Sequence, residues 1–294
     1  MKGIALYGNQ RQEEYLKEIG IFMRRLEDAG FNIYIQRSFG TYLESKGVTV
    51  TARPVDRFPS DSVETLVSIG GDGTFLHAAR WARGCPVPIL GVNTGHLGYL
   101  AGFSFNDMDQ LMEVLTEGTG RVEPRMALKL ESPHLPSGFW PYALNEVAIL
   151  KSESASMVTV HTEVNGRYLA DYLADGLIIA TPTGSTAYNL SAGGPILEPM
   201  VSNMVISPIA PHSLTMRPLV IGGDAEITLS VQCAAHKCRI SLDGRPFSIV
   251  CDGEAECDTP RLRITKAPFT VNILRTPDSD FSALLRSELL WSLR

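Results

Sequence analysis

The sequence predicts an α/β N-terminal domain with a parallel sheet, then an all-β sandwich, and a final helix that packs back on the first domain. Up to about residue 120, short apolar strands alternate with segments whose apolar residues recur at helical spacing, which is typical of a parallel sheet. After Gly120 the chain shows short strand-like runs separated by turn residues, which indicates two packed sheets.

The first domain is expected to alternate strands and helices. The predicted strands are residues 3–7, 32–36, 48–51, 65–69 and 88–92. The predicted helices are an apolar stripe from Tyr15 to Leu26, a short segment 41–46, a segment from Thr74 to about Arg83, and a segment from Asn106 to Gly118. Ligands of parallel sheets bind beyond the carboxyl ends of the strands, where the 70–73 turn and the 93–99 loop are expected.

The second domain is expected to contain only strands. These are residues 125–131, 143–150, 157–164, 177–180, 205–209, 225–232, 239–242, 261–264 and 270–273. Turns are expected at Gly166, Gly222-Gly223, Asp243-Gly244 and Asp252-Gly253. The last segment, 278–294, carries a helical stripe of Phe281, Leu284, Leu285 and Leu289 that we expect to be buried on the first domain. The predicted domains are therefore residues 1–120 joined by the helix 278–294, and residues 121–277.

The composition indicates a cytoplasmic protein that binds neither nucleic acid nor a membrane. The 294 residues carry a net charge of −6 with acidic and basic residues interspersed, whereas nucleic-acid binding proteins usually show a basic stripe. The sequence has no apolar run long enough to cross a bilayer. The five cysteines include no CxxC pair, so reduced thiols are the simplest account.

A glycine-rich turn between a strand and a helix is the first candidate for chemistry. It comprises Gly70, Gly71, Asp72, Gly73 and Thr74. Helix N-termini bind phosphate, so we expect phosphate contacts at Gly70, Gly71, Gly73 and Thr74. A carboxylate beside a phosphate site needs a function, such as accepting a hydrogen bond from an attacking hydroxyl or holding a metal with the phosphates. The alternative is a tight turn in which Asp72 bonds its own backbone.

Two further stretches are candidates for nucleotide recognition. In Asn145-Glu146, the amide could read a base edge and the carboxylate could accept from ribose hydroxyls, although a solvated strand end is the simpler alternative. The stretch 175–195 combines small hydroxyl residues, glycines and Tyr188, whose ring could stack on a base. Walker A, GxGxxG and zinc motifs do not occur in the sequence. His77, His96 and His212 are compatible with surface, helix-packing or turn positions.

These stretches together resemble the NAD kinase family. The resemblance rests on Gly70–Thr74, Asn145-Glu146, Asp175-Gly176-Leu177, the run 181–188, and Ser191 with Gly193-Gly194-Pro195. It implies transfer of the ATP γ-phosphoryl group to the 2′-hydroxyl of the adenosine ribose of NAD, giving NADP. It also implies a divalent metal ion, Mg²⁺ above all, and a homo-oligomer, either a dimer or a tetramer.

The resemblance also implies roles for individual residues. Asp72 is expected to be catalytic and to contact NAD together with Gly73 and, more weakly, His77. Further NAD contacts are expected at Asn145, Glu146, Asp175, Thr186, Ala187, Tyr188, Asn189, Leu190 and Ser191. Many relatives have glutamine at the position of Arg245, so the resemblance assigns no role to this residue. No dedicated protein cage for the metal is expected, because Mg²⁺ usually keeps several waters and binds substrate phosphates.

Two other functions remain alternatives at this stage. A lipid or sphingoid-base kinase shares the GGDGT turn, but it would need an apolar acyl groove where this chain has serine, threonine and glycine. A nucleotide-binding regulatory module without catalysis would tolerate the loss of Asp72. The sequence does not indicate whether polyphosphate replaces ATP or whether NADH replaces NAD.

Overall fold

The computed structural model describes residues 2–95, 98–152, 157–233, 237–251 and 260–289. The chain divides into two compact units, of which unit one is Met1–Pro124 with Val271–Arg294, and unit two is Arg125–Thr270. Some features of the sequence analysis lie outside the described residues, namely His96, Asp252-Gly253, one of the five cysteines (Cys257) and residues 290–294 of the predicted last segment.

Unit one is built on a parallel sheet. Its strands are β1 (Gly3–Gly8), β2 (Asn32–Gln36), β3 (Arg53–Val55), β4 (Thr65–Ile69), β5 (Ile89–Asn93) and the two-residue β6 (Phe103–Ser104). The order is β3-β2-β1-β4-β5, every neighbouring pair is parallel, and β6 pairs with β5 in the same direction. The order reverses between β1 and β4, and the carboxyl ends of strands at such a point form a usual ligand site.

Helices complete unit one. They are α1 (Leu16–Asp28), α2 (Arg37–Ser45), α3 (Asp72–Ala82) and α4 (Met108–Glu117). The stripe on α1 is buried as its spacing predicts, because Ile19, Phe22, Met23 and Leu26 all lie in the core with strand residues such as Leu6 and Val67. Apolar burial of this kind fixes the strands, and thereby the loops at their carboxyl ends.

Unit two is a β-sandwich. Its elements are β7 (Arg121–Glu131), β8 (Tyr142–Ala143), β9 (Glu146–Lys151), β10 (Val158–Val164), β11 (Arg167–Ala174), β12 (Gly176–Ala180), the short helix α5 (Tyr188–Ser191), β13 (Asn203–Ile209), β14 (Leu219–Gly222), β15 (Ile227–Cys233), β16 (Lys237–Leu242), β17 (Arg245–Val250) and β18 (Arg261–Arg275). The strands β7 and β18 each begin in one unit and end in the other.

Two antiparallel sheets enclose the core of unit two. One sheet has the order β14-β13-β12-β9-β16-β17, and the other contains β11-β10-β15-β18 with β7 beside β18 and β8 beside β7. Alternate residues of each sheet, such as Val147 and Ile149 on β9 and Leu229 and Val231 on β15, form one apolar cluster. This alternation is what the period-two pattern of the sequence predicts.

The predicted fold class is therefore confirmed, with corrections to individual elements. Residues 48–51 are not a strand, and the short strand β3 lies a few residues later. The two strands expected at 261–264 and 270–273 are one continuous strand, β18. Four strands (β6, β11, β14 and β17) and the helix α5 were not expected.

The last helix, α6 (Phe281–Glu288), belongs to unit one and begins at Asp280, whose carboxylate accepts hydrogen bonds from the N–H groups of Ser282 and Ala283. None of its residues is fully buried, so its apolar stripe is only half covered within the described residues.

No helix among the described residues combines the length and the apolar character that crossing a bilayer requires. The four cysteines in the described part of the chain form no disulfide with one another.

Candidate active site

The glycine turn after β4 has two kinds of glycine. Gly70 has φ +144°, and a Cβ there would lie 2.4 Å from Thr74 Oγ1, so the backbone itself requires glycine. Gly71 and Gly73 have ordinary φ values, and a Cβ on either would meet no atom within 4 Å. Folding does not require glycine at these two positions. Close approach of a ligand to the start of α3 is a physical reason for having it there.

Some of the residues predicted to bind phosphate already donate their backbone N–H to another residue, and others do not. The Gly70 N–H donates to Val92 O at 2.9 Å, and the Thr74 N–H donates to Gly71 O at 2.9 Å. Gly71, Asp72 and Gly73 precede the first bonds within α3, and the first N–H groups of a helix have no partner in the helix. Their N–H groups are therefore the ones that suit an anion.

The Asp72 carboxylate is held by the loop that follows β5. Oδ2 accepts the Tyr99 N–H at 2.9 Å, and Oδ1 accepts the N–H groups of Leu100 and Ala101 at 3.0 and 3.1 Å. A Cβ at Gly98 would lie 2.3 Å from Oδ1, so this approach requires glycine. A carboxylate has about four lone-pair sites, so one site on Oδ2 remains for a further donor. The carboxylate bonds to a distant loop rather than to its own turn.

Two polar residues beyond the end of β1 also support the turn. Asn9 Nδ2 donates to Thr74 Oγ1 at 2.7 Å, and Asn9 Oδ1 accepts Gln12 Nε2 at 3.0 Å. Gln12 Nε2 also lies 3.3 Å from Ile69 O, and its Oε1 is buried without a partner in the described residues. No role was predicted for Asn9 or Gln12 from the sequence. Their position at the carboxyl end of a central strand was the available signal.

His77 and Tyr99 lie close to the turn in different ways. His77 is exposed on α3, one turn beyond Gly73. The Tyr99 hydroxyl is buried with no hydrogen-bond partner among the described residues. Burial and the nearby charges of Glu288 and Asp72 raise the pKa of this phenol, so it stays a neutral donor.

In unit two, Asn145 and Glu146 stand where β9 begins. Asn145 Oδ1 and Glu146 Oε2 are both buried, and neither has a hydrogen-bond partner in the part of the chain that the structure describes. Burial, and then the charge of Asp243, raises the pKa of Glu146 to about 8. In the ligand-free protein the Glu146 side chain is thus a neutral acid near pH 7, able to donate as well as to accept.

Asp175 lies between β11 and β12 and is ion-paired. Its Oδ1 accepts Lys151 Nζ at 2.6 Å, and its side chain is 35% exposed. The Asp175 backbone is bonded on both sides, to Ile209 O and from the Lys151 N–H. The lysine partner was not predicted, because Lys151 lies 24 residues before Asp175 in the sequence.

The stretch 183–191 is an ordered turn and helix rather than an open loop. A 3₁₀ turn, Thr183–Thr186, leads into α5. Asn189 is fully buried: its amide donates to the carbonyls of Ser185 and Pro195 at 3.1 Å and accepts from Ser207 Oγ at 2.6 Å. The Asn189 side chain therefore has a structural role, because it joins the turn to Pro195 and to β13 through Ser207. Tyr188 is 39% exposed and Ser191 is exposed, while Thr186, Ala187 and Leu190 are half-buried.

Comparison with known proteins gives one consistent result. Residues 4–120 match the model of the ATP-NAD kinase N-terminal domain, and residues 144–276 match that of the ATP-NAD kinase C-terminal domain. The chain belongs to the NAD kinase family. It is 40% identical to an NAD kinase of Bacteroides fragilis over 291 residues, covering 98% of this chain and 97% of the relative. It is 38% identical to an NAD kinase of Porphyromonas gingivalis over 296 residues, covering 99% and 98%.

Solved structures of NAD kinases share the fold. An NAD kinase from Archaeoglobus fulgidus, solved in complex with ATP, superposes with a TM-score of 0.68 at 26% identity and 94% coverage of both chains. The yeast NADH kinase complexed with NADH superposes with a TM-score of 0.85 at 21% identity, covering 100% of this chain and 89% of its own. At 21% identity, the similarity to the yeast enzyme shows only that the two chains share a fold.

For this NAD kinase family member, the structure gives Arg245 a definite role. Its guanidinium donates to Trp140 O at 3.1 Å and Tyr142 O at 2.8 Å, and lies 4.9 Å from the centroid of the Phe139 ring. Arg245 therefore fixes the segment before β9. The exposed His212 is anchored through its backbone, which donates to Leu173 O at 2.9 Å.

Proposed function

We propose that this protein is an NAD kinase that transfers the γ-phosphoryl group of ATP to the 2′-hydroxyl of the adenosine ribose of NAD. Membership of the family and the names of its full-length relatives support the reaction. The observation that carries the assignment of the catalytic group is the Asp72 carboxylate, held by three N–H groups beside two glycines that border open space. The lipid kinase and the regulatory module have no observation in their favour.

Asp72 is the proposed acceptor of the hydroxyl proton. The free site on Oδ2 accepts the hydrogen bond of the 2′-hydroxyl, which aims the hydroxyl oxygen at the γ-phosphorus. As the new O–P bond forms, the bond from phosphorus to the ADP oxygen breaks and the proton passes to Asp72. Carboxylates are weak bases toward alcohols, but phosphoryl transfer has a loose transition state that needs little nucleophilic push. Orientation is therefore the main contribution of Asp72.

The remaining site residues are proposed to bind the two nucleotides. The N–H groups at Gly71 and Gly73 suit the ATP phosphates because they open the positive end of α3. The Asn145 amide and the Glu146 carboxyl have buried atoms without partners, which suits base and ribose groups of NAD. Tyr188, which is partly exposed, is suited to stack on a base.

A divalent metal, Mg²⁺ first, is proposed to accompany ATP. Among the described residues no three His, Cys, Asp or Glu side chains converge as a metal site. The one free lone pair of Asp72 is assigned to the 2′-hydroxyl, so the residues present suit an ion held by ATP phosphate oxygens and water. When bound, the ion would neutralise charge on the phosphates.

The test is Asp72→Asn, with Asp61→Asn as the matched control, since Asp61 is an exposed turn aspartate of the same unit. NADP formation from NAD and ATP is measured with an NADP-dependent dehydrogenase, and NAD binding by calorimetry. We expect Asp72→Asn to lose at least ~100-fold in turnover while still binding NAD, the usual scale for a general base. Near-normal turnover of Asp72→Asn would remove Asp72 from the chemistry, and no NADP from the wild type would reject the function.

A further inference from the structure

The backbone of residues 144–146 is bonded completely by two other residues. The N–H groups of Leu144, Asn145 and Glu146 donate to the Asp243 carboxylate at 2.8, 2.8 and 3.2 Å. The carbonyls of Leu144 and Asn145 accept from Thr181 Oγ1 and Thr181 N–H at 2.5 and 2.8 Å, and the Glu146 carbonyl accepts the Asp243 N–H at 3.1 Å. Every backbone polar group of the tripeptide thus binds Asp243 or Thr181.

The side chains presented by this tripeptide are unsatisfied. Asn145 Oδ1 and Glu146 Oε2 are buried and lack hydrogen-bond partners among the described residues. A buried polar atom without a partner typically destabilises the fold by about 1–3 kcal/mol. Rigid backbone bonding combined with unsatisfied side chains is what a preformed ligand site requires, because the missing partners can come from the ligand.

Asp243 reaches the tripeptide from a separate hairpin. It lies in the β16–β17 turn with φ +47°, a left-handed conformation that aspartate tolerates better than most residues. Thr181 directly follows β12, and its Oγ1 also accepts the Gly184 N–H at 3.0 Å, at the start of the 183–191 segment. The two residues therefore join the tripeptide to two other parts of unit two.

We propose that Asp243 and Thr181 are positioning residues of the NAD site, which hold Asn145 and Glu146 in the geometry that the dinucleotide requires. This inference rests on the proposed function. Neither side chain has to touch NAD, because both act through the backbone of residues 144–146. Loosening either one should weaken NAD recognition and leave ATP recognition unchanged.

Asp243 also acts on Glu146 through its charge. Asp243 is the charged group that raises the pKa of Glu146 beyond the effect of burial, and Arg245 is the cation that faces Asp243. Asp243→Asn keeps an acceptor oxygen but removes the charge. Without that charge Glu146 ionises more easily, so its pKa falls and the corresponding midpoint of a pH–activity profile moves to lower pH. A residue with only a structural role would not cause this shift.

The experiment compares Asp243→Asn and Thr181→Val with a matched control, Asn165→Ala. Asn165 is also a hairpin residue with positive φ (+53°), and its Oδ1 accepts a backbone N–H, that of Glu226, at 2.9 Å. For both test variants we expect the KM for NAD to rise about tenfold, the scale of one lost hydrogen bond, with the KM for ATP within twofold. For Asp243→Asn the alkaline midpoint of kcat/KM for NAD should move to lower pH, because the charge that helps to raise the pKa of Glu146 is removed. Asn165→Ala should leave both KM values unchanged.

The inference is overturned if the folded test variants keep the wild-type KM for NAD, or if the KM for ATP rises as much as that for NAD. The same applies if Asn165→Ala reproduces their effect. Should Asp243→Asn not fold, the KM values of Thr181→Val decide by the same criterion. If the wild-type protein makes no NADP, the proposed function is rejected instead. The variants would then be compared by their dissociation constants for NAD, measured by calorimetry, in place of KM.

Discussion

The raised pKa of Glu146 makes a quantitative prediction about stability. The side chain is 8% exposed, and burial followed by the charge of Asp243 raises its pKa from 4.5 to about 8. The folded protein therefore binds this proton more tightly than the unfolded chain does. The resulting stabilisation is fully present below pH 4.5 and is lost as the pH rises to about 8. At about 1.36 kcal/mol per pH unit, the interval of roughly 3.5 units corresponds to about 5 kcal/mol.

Replacing Glu146 by Gln removes this titration with little change of shape. We expect the free energy of unfolding of Glu146→Gln, minus that of the wild type, to grow by up to about 5 kcal/mol between pH 4.5 and pH 9. Urea unfolding at pH 5, 6, 7, 8 and 9 measures it, and taking the difference removes most of the contribution of other titrating groups. The growth with pH should exceed that of the matched control Glu198→Gln, at an exposed glutamate of the same unit.

A difference between Glu146→Gln and the wild type that does not change with pH would refute the reasoning. It would mean that Glu146 is ionised in the folded protein at neutral pH, with solvent or an ion satisfying Oε2. The proposed donor capacity of Glu146 toward NAD would then fall as well, since an ionised carboxylate only accepts hydrogen bonds.

Two further predictions concern the glycine turn and Arg245. Gly70→Ala should lose about 2 kcal/mol or more in urea unfolding, because its Cβ would overlap Thr74 Oγ1 at a φ that alanine avoids, whereas Gly71→Ala should fold normally and raise the KM for ATP severalfold. Equal effects of both variants on stability would contradict this. Arg245→Ala should destabilise the protein by about 2 kcal/mol in the same assay, since two carbonyls lose a charged donor. Unchanged stability would show that these bonds contribute nothing.

The sequence predicts those parts of the fold that depend on local periodicity. The helix α1 has its stripe buried as expected, and β10 lies within one residue of the predicted 157–164. The strand predicted at 48–51 is wrong because Val48 and Val50 pack on the core from an irregular segment, where apolar alternation arises without strand pairing. The strand β11 was missed because it carries exposed apolar residues, such as Tyr168 and Leu173, on an edge of its sheet.

Only those parts of the candidate site can be predicted whose residue types and sequence neighbours are unusual by themselves. The glycines around Asp72 and the unusual polar pair Asn145-Glu146 stand out in the sequence. The partners that hold them do not, because Asp72 is fixed by N–H groups 27 to 29 residues away, and Asp243 binds N–H groups 97 to 99 residues away. Backbone donors have no residue type, so such bonds leave no local signal in the sequence.

Asp72 and Asp243 show how one local arrangement serves two purposes. Each precedes a glycine, and each accepts three backbone N–H groups, two on Oδ1 and one on Oδ2. The difference lies in what surrounds the remaining lone pair. Asp72 stands between Gly71 and Gly73, which border open space, so a substrate hydroxyl can reach it. Burial raises the pKa of Asp243, and the pKa of Glu146 is raised by its own burial and then by the charge of Asp243. In the roles proposed above, the same bonding leaves the Asp72 carboxylate accessible to a substrate hydroxyl and makes the Asp243 carboxylate a fixed support for residues 144–146.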